Sequence, residues 1–392
     1  MKRLAKFVRS WLAATTFNAK AGEVKTTASK LSPGSLPTAI ATKFALAIAD
    51  LPLPQPHQEQ LRSQLETALQ KWRSDPQNHN HLVILADPTE PLEKYQRWVL
   101  DQAAWSPVAL FADWNQRPST YTDIADKLAQ AIETISADEG QPQVVVMPSL
   151  DQCFLRCADG LAAIDYLREA IAGDRRHFWV LSCNQWAWQY LDSVCHIRAY
   201  FQQTFTLPMM DGLAVKQWLS PLEATVEHTF ATVEQTQTAS KAAPTSSEQP
   251  QLWASETEEQ YFAALATAAG GISQVAAALW LRSLCYQEAS ATLDGSPQED
   301  EASVILKKLA FTELPTLTAD DRYLLFSLTL HRSMSLAHLA RTLGDRIGKV
   351  TNQTLPLRRQ DLIAIAGSNY QLNPAYYLPL RADLRRNNFI VD

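Results

Sequence analysis

His81-Leu-Val-Ile-Leu-Ala-Asp-Pro-Thr-Glu-Pro-Leu-Glu-Lys-Tyr95 is the stretch on which the reading of this chain turns. Its first six residues form an apolar run closed by turn-forming residues. That predicts a strand buried on both faces, and such strands belong to parallel sheets covered by helices. The remainder is a polar turn entering the next helix. Upstream, Leu61, Leu65, Leu69 and Trp72 recur at helical spacing and stop at Asp75-Pro76. Downstream, the alternation continues with a strand at 108–111, a helix at 121–135 and a strand at 144–147. A helix carrying Phe154, Cys157, Leu161, Ile164, Leu167 and Ile171 then runs to Gly173. A strand at 178–181, a helix built on Trp186, Tyr190, Val194, Ile197 and Phe201, and a strand at 204–207 complete the series. The pattern predicts a three-layer α/β domain with a mostly parallel sheet. Ligands of such sheets bind beyond the carboxyl ends of the strands, here the loops after Ala86, Met147 and Leu181.

The chain has 392 residues and a mass of 43.8 kDa, enough for two or three domains. Hydrophobic residues make up 46% and charged residues 19%, a balance that excludes a fibre or a solvated disordered chain. No apolar run reaches the length of a spanning helix, and no signal-peptide core follows the basic start, so a cytoplasmic protein is expected. The five cysteines lack a C-x-x-C pair and read as reduced core thiols. The competing zinc reading, Cys153 and Cys157 with His177 and His196, lacks paired histidine spacing. No metal and no cofactor are expected.

The net charge of -6 is unevenly spread. Residues 1–30 carry seven Lys or Arg against one Glu, and residues 319–392 carry ten against six acidic residues, leaving -16 for the body between them. Contacts with polyanions are thereby confined to the ends. At the start, Phe7 and Trp11 share a helical stripe with Leu4, Val8 and Leu12 beside Lys2, Arg3 and Arg9. Such an arm suits a partner groove or the headgroup layer of the inner membrane; packing on its own domain is the bland alternative.

The order of elements, the strand ending in Ser182-Cys183-Asn184, the segment Leu213-Ala-Val-Lys-Gln-Trp-Leu219 and the glycine-marked segment from Gly270 to Trp280 resemble P-loop ATPases of the AAA+ and STAND kind. The resemblance covers about residues 58–392 and implies a helical lid and an origin-recognition-like C-terminal winged helix. It also implies a sensor role for an asparagine at position 184. The nucleotide motifs themselves are degenerate. A phosphate loop aligned on Lys94 has Pro88 and Pro91 where backbone N–H groups should turn to phosphate, Glu93 for the second glycine, and Tyr95 for the metal-holding hydroxyl. Asp87, Glu90 and Glu93 would oppose a polyanion. The third strand runs into Pro148-Ser149 instead of an acidic pair, and the lid lacks an arginine near Ser273-Gln274.

No other catalytic signature emerges. Asp151, Asp159 and Asp165 read as a solvated face, and Trp179, Trp186 and Trp188 as core. The expected organisation is an arm and tether at 1–37, an α/β core at 38–212, a helical lid at 213–302 with a low-complexity insert at 235–255, and a winged helix at 303–392. In the last, Thr318 caps a first helix, 335–344 forms a second, and a third runs toward Arg359 with Pro356 interrupting it. Residues 362–372 suggest a two-stranded wing. Lys349, Asn352, Gln353, Arg358 and Arg359 are the candidate contacts of that third helix with DNA or a protein partner. The sequence therefore points to a non-hydrolysing adaptor, with a DNA-binding regulator as the alternative and an ATPase with an atypical loop as the lesser one.

Overall fold

A computed structural model describes residues 36, 38–75, 77–110, 117–118, 121–137, 144–223, 228–230, 256–287, 303–306, 309 and 313–390. The helical stripe ahead of the decisive run forms α1 (Gln55–Ser74), which buries Leu61, Leu65, Leu69 and Trp72. The run itself forms β1 (His81–Ala86), buried along its whole length. There follow α2 (Leu92–Leu100), β2 (Pro107–Ala109), α3 (Tyr121–Ala137), β3 (Val144–Val146), α4 (Ala162–Gly173), β4 (Phe178–Asn184), α5 (Gln185–Cys195), the short α6 (Ile197–Tyr200) and β5 (Thr204–Thr206). The strands form one sheet in the order β2-β3-β4-β1-β5 with every pair parallel.

Both faces of the sheet are covered, as its continuous apolar strands require. On one, Val83, Leu85, Val145, Trp179 and Leu181 join side chains of α3, α4 and α5 in a single core. On the other, Trp72 of α1 lies 5.6 Å from Phe178 between ring centroids, and Gln96 of α2 reaches Ser182. Burying each large apolar side chain contributes roughly 1.5–3 kcal/mol, so the central strands β1 and β4 anchor the domain. Trp179, Trp186 and Trp188 all lie in the core.

One expected helix is shorter than its periodicity suggests. Residues 154–161 form a closed loop, and α4 begins only at Ala162. Leu155 N–H donates to Gly160 O at 3.1 Å, and a Cβ at Gly160 would sit 2.0 Å from the Leu155 carbonyl oxygen. Asp159 has φ of +60°, so the chain turns where the apolar spacing continues. Asp151, read as solvated, is 0% exposed.

The C-terminal part follows the reading closely. It comprises α7 (Ala319–His331), β6 (Ser333–Met334), α8 (Leu336–Leu343), α9 (Ile347–Arg359), β7 (Ile363–Ala366), β8 (Asn369–Leu372) and α10 (Tyr377–Arg386). The strand order is β7-β8-β6, antiparallel throughout, which gives a winged helix. Thr318 Oγ1 accepts from Asp321 N at 3.1 Å while the Asp321 carboxylate accepts from Thr318 N at 2.9 Å, a reciprocal cap for α7. Pro356 does not interrupt α9: the helix runs through it to Arg359 with one intrahelical bond missing. The sequence reading did not include α10, which Arg322 ties to α7 by a 2.7 Å bond to Asp383.

The chain divides into two units: residues 55–208 with 312–392, and residues 1–54 with 209–311. The α/β sheet and the winged helix thus share one unit. In the other, helices Thr38–Ala49, Gly212–Glu223, Glu256–Ala268 and Ser273–Ser283 accompany a three-stranded sheet of His228–Phe230, Ser303–Leu306 and Leu284–Gln287. That sheet was not anticipated. The sequence reading gave 38–54 to the α/β core and 303–306 to the winged helix. Instead Phe44 packs edge-on to Trp280 at 5.7 Å, and Trp218 Nε1 donates to Pro52 O at 2.8 Å. The basic arm with Lys2, Arg3, Phe7, Arg9 and Trp11, and the insert at 235–255, lie outside the described residues. Among the described residues no helix is long and apolar enough to cross a membrane.

Candidate functional site at the carboxyl ends of the strands

The turn after β1 folds its backbone donors onto itself. Glu90 N–H donates to Asp87 O at 3.0 Å, Leu92 N–H to Glu90 O at 3.0 Å and Lys94 N–H to Pro91 O at 2.8 Å. Pro88 and Pro91 have no N–H to offer, and Pro91 stands at the N-cap of α2 without a side-chain cap. Tyr95 is wholly buried. Its hydroxyl is 2.6 Å from His57 Nδ1 and 3.2 Å from Glu90 Oε2. Because His57 Nε2 faces the Pro208 carbonyl at 2.9 Å it must carry the proton there, so His57 Nδ1 and Glu90 Oε2 are two acceptors around the one Tyr95 hydroxyl proton. Burial lowers the His57 pKa to about 4, against the smaller opposing effect of the Pro208 bond, so the ring is neutral at pH 7. Burial, together with Glu90, pushes the Tyr95 phenol well above its ordinary range.

The carboxylates of this turn are matched by side chains of the winged helix. Arg332 grips Glu93 through two bonds of 2.9 Å, and its Nη1 lies 3.7 Å from the Asp151 carboxylate. Partial enclosure works against ionisation of Glu93, whose side chain is still 55% exposed, but the charge and hydrogen bonds of Arg332 outweigh it and hold the carboxyl below the usual range. Tyr377 O–H donates to Asp87 at 2.8 Å while its oxygen accepts from Trp186 Nε1 at 2.7 Å. Gln185 also donates to Asp87. Burial raises the Asp87 pKa despite these donors and the nearby Arg381.

At the ends of β3 and β4, Ser149 Oγ donates to Asp151 and lies 3.3 Å from Ser182 O. Pro148 is buried beside it. Asn184 Oδ1 caps α5 by accepting from Trp186 N at 3.1 Å and Ala187 N at 2.9 Å, and its Nδ2 donates to Leu330 O at 2.7 Å. Both ends of that amide are thus held by structural partners. Burial raises the Asp151 pKa, with Arg332 and the Ser149 bond opposing the rise. Behind it, buried Arg117 donates to Asp151 O and reaches Ser333 O at 3.4 Å. His331 Nε2 accepts from Arg156 N at 3.2 Å, so its proton sits on Nδ1, 3.4 Å from Asp151 O. Burial, then Arg117, keeps the His331 pKa well below its ordinary value.

The structure thus gathers Pro88, Pro91, Glu93, Lys94, Tyr95, Pro148, Ser149 and Asn184 around the carboxyl ends of β1, β3 and β4. Sequence reasoning missed the residues that close this region: Arg332, Tyr377, Arg117, His331 and Asp151. The turn lacks converging N–H groups, its acidic residues are paired with protein donors, and the Tyr95 hydroxyl is bonded within the core.

On α9 the candidates separate. Arg358, Arg359 and Asn352 are exposed beside Leu355 at 41% and Ile347 at 53%. Lys349 is paired with Asp345 at 2.9 Å and lies 3.7 Å from Asp320. Gln353 is only half-buried, but its Nε2 is enclosed and has no partner among the described residues. Cys153, Cys157, Cys183 and Cys195 are free thiols, and no metal-binding cluster occurs among the described residues.

No family model and no curated protein matches the chain. Solved structures similar to it include the ORC1 protein of Aeropyrum pernix in complex with DNA, with 10% identity over 85% of this chain and 94% of that one and a TM-score of 0.38. The ADP form of the Aeropyrum pernix ORC2 protein gives 12% identity over 92% and 97% with a TM-score of 0.35. A RuvB variant of Thermotoga maritima gives 12% over 83% and 95% with a TM-score of 0.33. These neighbours are AAA+ P-loop ATPases.

Proposed function

We propose that this protein is a non-hydrolysing, AAA+-like adaptor whose winged helix is fastened to the degenerate phosphate turn and presents a docking face to a protein partner. The observation that carries the reading is the two-bond grip of Arg332 on Glu93, a protein cation and anion paired at the turn where a phosphate loop would hold nucleotide. The Asn184 bond to Leu330 O supports it, since it occupies the amide to which the resemblance gives a sensor role, and the Tyr377 bond to Asp87 adds a second link between the turn and the winged helix. The exposed Ile347 and Leu355 beside Arg358 and Arg359 suit a protein surface with apolar and acidic groups. Titration of the full chain with ATP and Mg²⁺ should give no saturable binding below millimolar concentration and no phosphate release. Submicromolar binding contradicts the reading.

A second reading is a DNA-binding regulator acting through α9, favoured by the exposed Arg358 and Arg359. Duplex affinity falling steeply with salt, and lost on Arg358→Ala with Arg359→Ala, would establish it; no duplex binding at low salt removes it. The basic segment 1–30 is proposed as a peripheral attachment, to partner or inner membrane surface, of a cytoplasmic protein. Deleting it should abolish binding to anionic liposomes if the membrane is its target and leave liposome binding absent in both proteins if a partner is.

A further inference from the structure

A second cleft, of about 260 Å³, lies where the loop after β3 meets the first three helices of the winged helix. Arg156 reaches it from the α/β part; Thr342, Gln353, Asp320, Asp345 and Tyr323 line it from the winged helix. Three polar atoms of these residues are enclosed and have no partner among the described residues: Arg156 Nε, Thr342 Oγ1 and Gln353 Nε2. Thr342 is the most enclosed, at 8% exposure. An enclosed donor without a partner costs about 1–3 kcal/mol, so three around one cleft call for a ligand with oxygen acceptors.

The lining carries both signs of charge. Arg156 Nε is enclosed, as Thr342 Oγ1 is, and the Arg156 Cζ lies 5.6 Å from the Phe326 ring centre. Asp320 and Asp345, whose side chains are 65% and 28% exposed, share the single ammonium of Lys349. Two carboxylates facing one ammonium leave the exposed part of the lining negative, while the enclosed Arg156 is positive. A free anion would be repelled on entry, and a free cation would meet Arg156. The half-exposed Tyr323 ring and Leu343 add an apolar side wall. The volume is at the small end for ligand sites, below what a nucleotide or a drug-sized molecule fills.

We propose that this cleft binds a free α-amino acid, with its carboxylate on Arg156, Thr342 and Gln353 and its ammonium toward Asp320 and Asp345. Arg156 belongs to the α/β part and the other groups to the winged helix, so the bound zwitterion bridges the two and raises the stability of their joint. The site is separate from the phosphate turn, and its failure would leave the adaptor reading untouched.

The test uses the full chain and leucine as probe, with leucinamide lacking the carboxylate and N-acetylleucine lacking the ammonium. Leucine should bind saturably in calorimetry and raise Tm, and each derivative should bind at least about tenfold more weakly. Thr342→Val should weaken leucine binding by a similar factor while leaving the free protein as stable as before, because it removes an unpartnered hydroxyl without opening a cavity. Equal binding of the three compounds, an unchanged isotherm in Thr342→Val, or no saturation by leucine, methionine and glutamine up to about 10 mM overturns the proposal.

Discussion

Arg332 and Arg359 sit on the same winged helix in opposite circumstances. Arg332 is nearly enclosed, between Glu93 and a fully buried Asp151, while Arg359 ends α9 in solvent. The first has φ of +60° and ψ of -51°, a backbone conformation that a side chain disfavours and that its surroundings must hold in place. A charge held this way fixes the position of one domain part on another; a charge in solvent is available to something outside the chain. The carboxyl ends of the strands are tied to the winged helix, and the outward face of α9 is the surface that the proposed docking would use.

The largest expected effect breaks that contrast directly. Arg332→Ala leaves Asp151 buried without its cation and should destabilise by about 3–5 kcal/mol, read as a lower denaturation midpoint, whereas Arg359→Ala should change stability by less than about 0.5 kcal/mol. A large loss in the second variant would erase the distinction.

Acidification should act on the joint next. The His57 ring takes up a proton in the unfolded chain near pH 6.5 but in the folded chain only near pH 4. The stability this contributes is therefore full above pH 6.5 and falls as pH drops toward 4, by up to about 3 kcal/mol for that histidine. His331, also held neutral by burial, acts in the same direction. Urea melts from pH 7 to pH 4.5 should show the decline, and His57→Gln should make it shallower.

Smaller still, Tyr377→Phe removes one donor from Asp87 and one acceptor from Trp186, costing about 1–3 kcal/mol in thermal melts. Ile347→Ser with Leu355→Ser should cost no more than about 1–2 kcal/mol in the melt, because both side chains are about half exposed. A larger drop there would mean that the α9 face is covered by the chain itself.

The sequence carried the sheet and the winged helix because their signals are local: the apolar run at 81–86, the Thr318 cap, and Gly344 and Gly367 at their turns. It misplaced the helix after Leu150 because periodicity continued through a turn that Asp159 and Gly160 impose. It also grouped Gln353 with the candidate contacts to DNA or a protein partner, and spacing could not show that its Nε2 is enclosed. The closing groups of the joint were not legible. Arg332 and Tyr377 meet Glu93 and Asp87 across most of the chain, and a pairing between single polar residues that far apart leaves no period, cap or motif behind. Asp151 was misread for a related reason, since three aspartates near one predicted helix look solvated until the loop that buries one of them is known.

A double-mutant cycle on Glu93→Ala and Arg332→Ala, measured by urea unfolding of the full chain, tests the joint most directly. If the two side chains fasten the winged helix to the phosphate turn, the coupling between them should be at least about 1.5 kcal/mol. Additive losses, with coupling near zero, would contradict it.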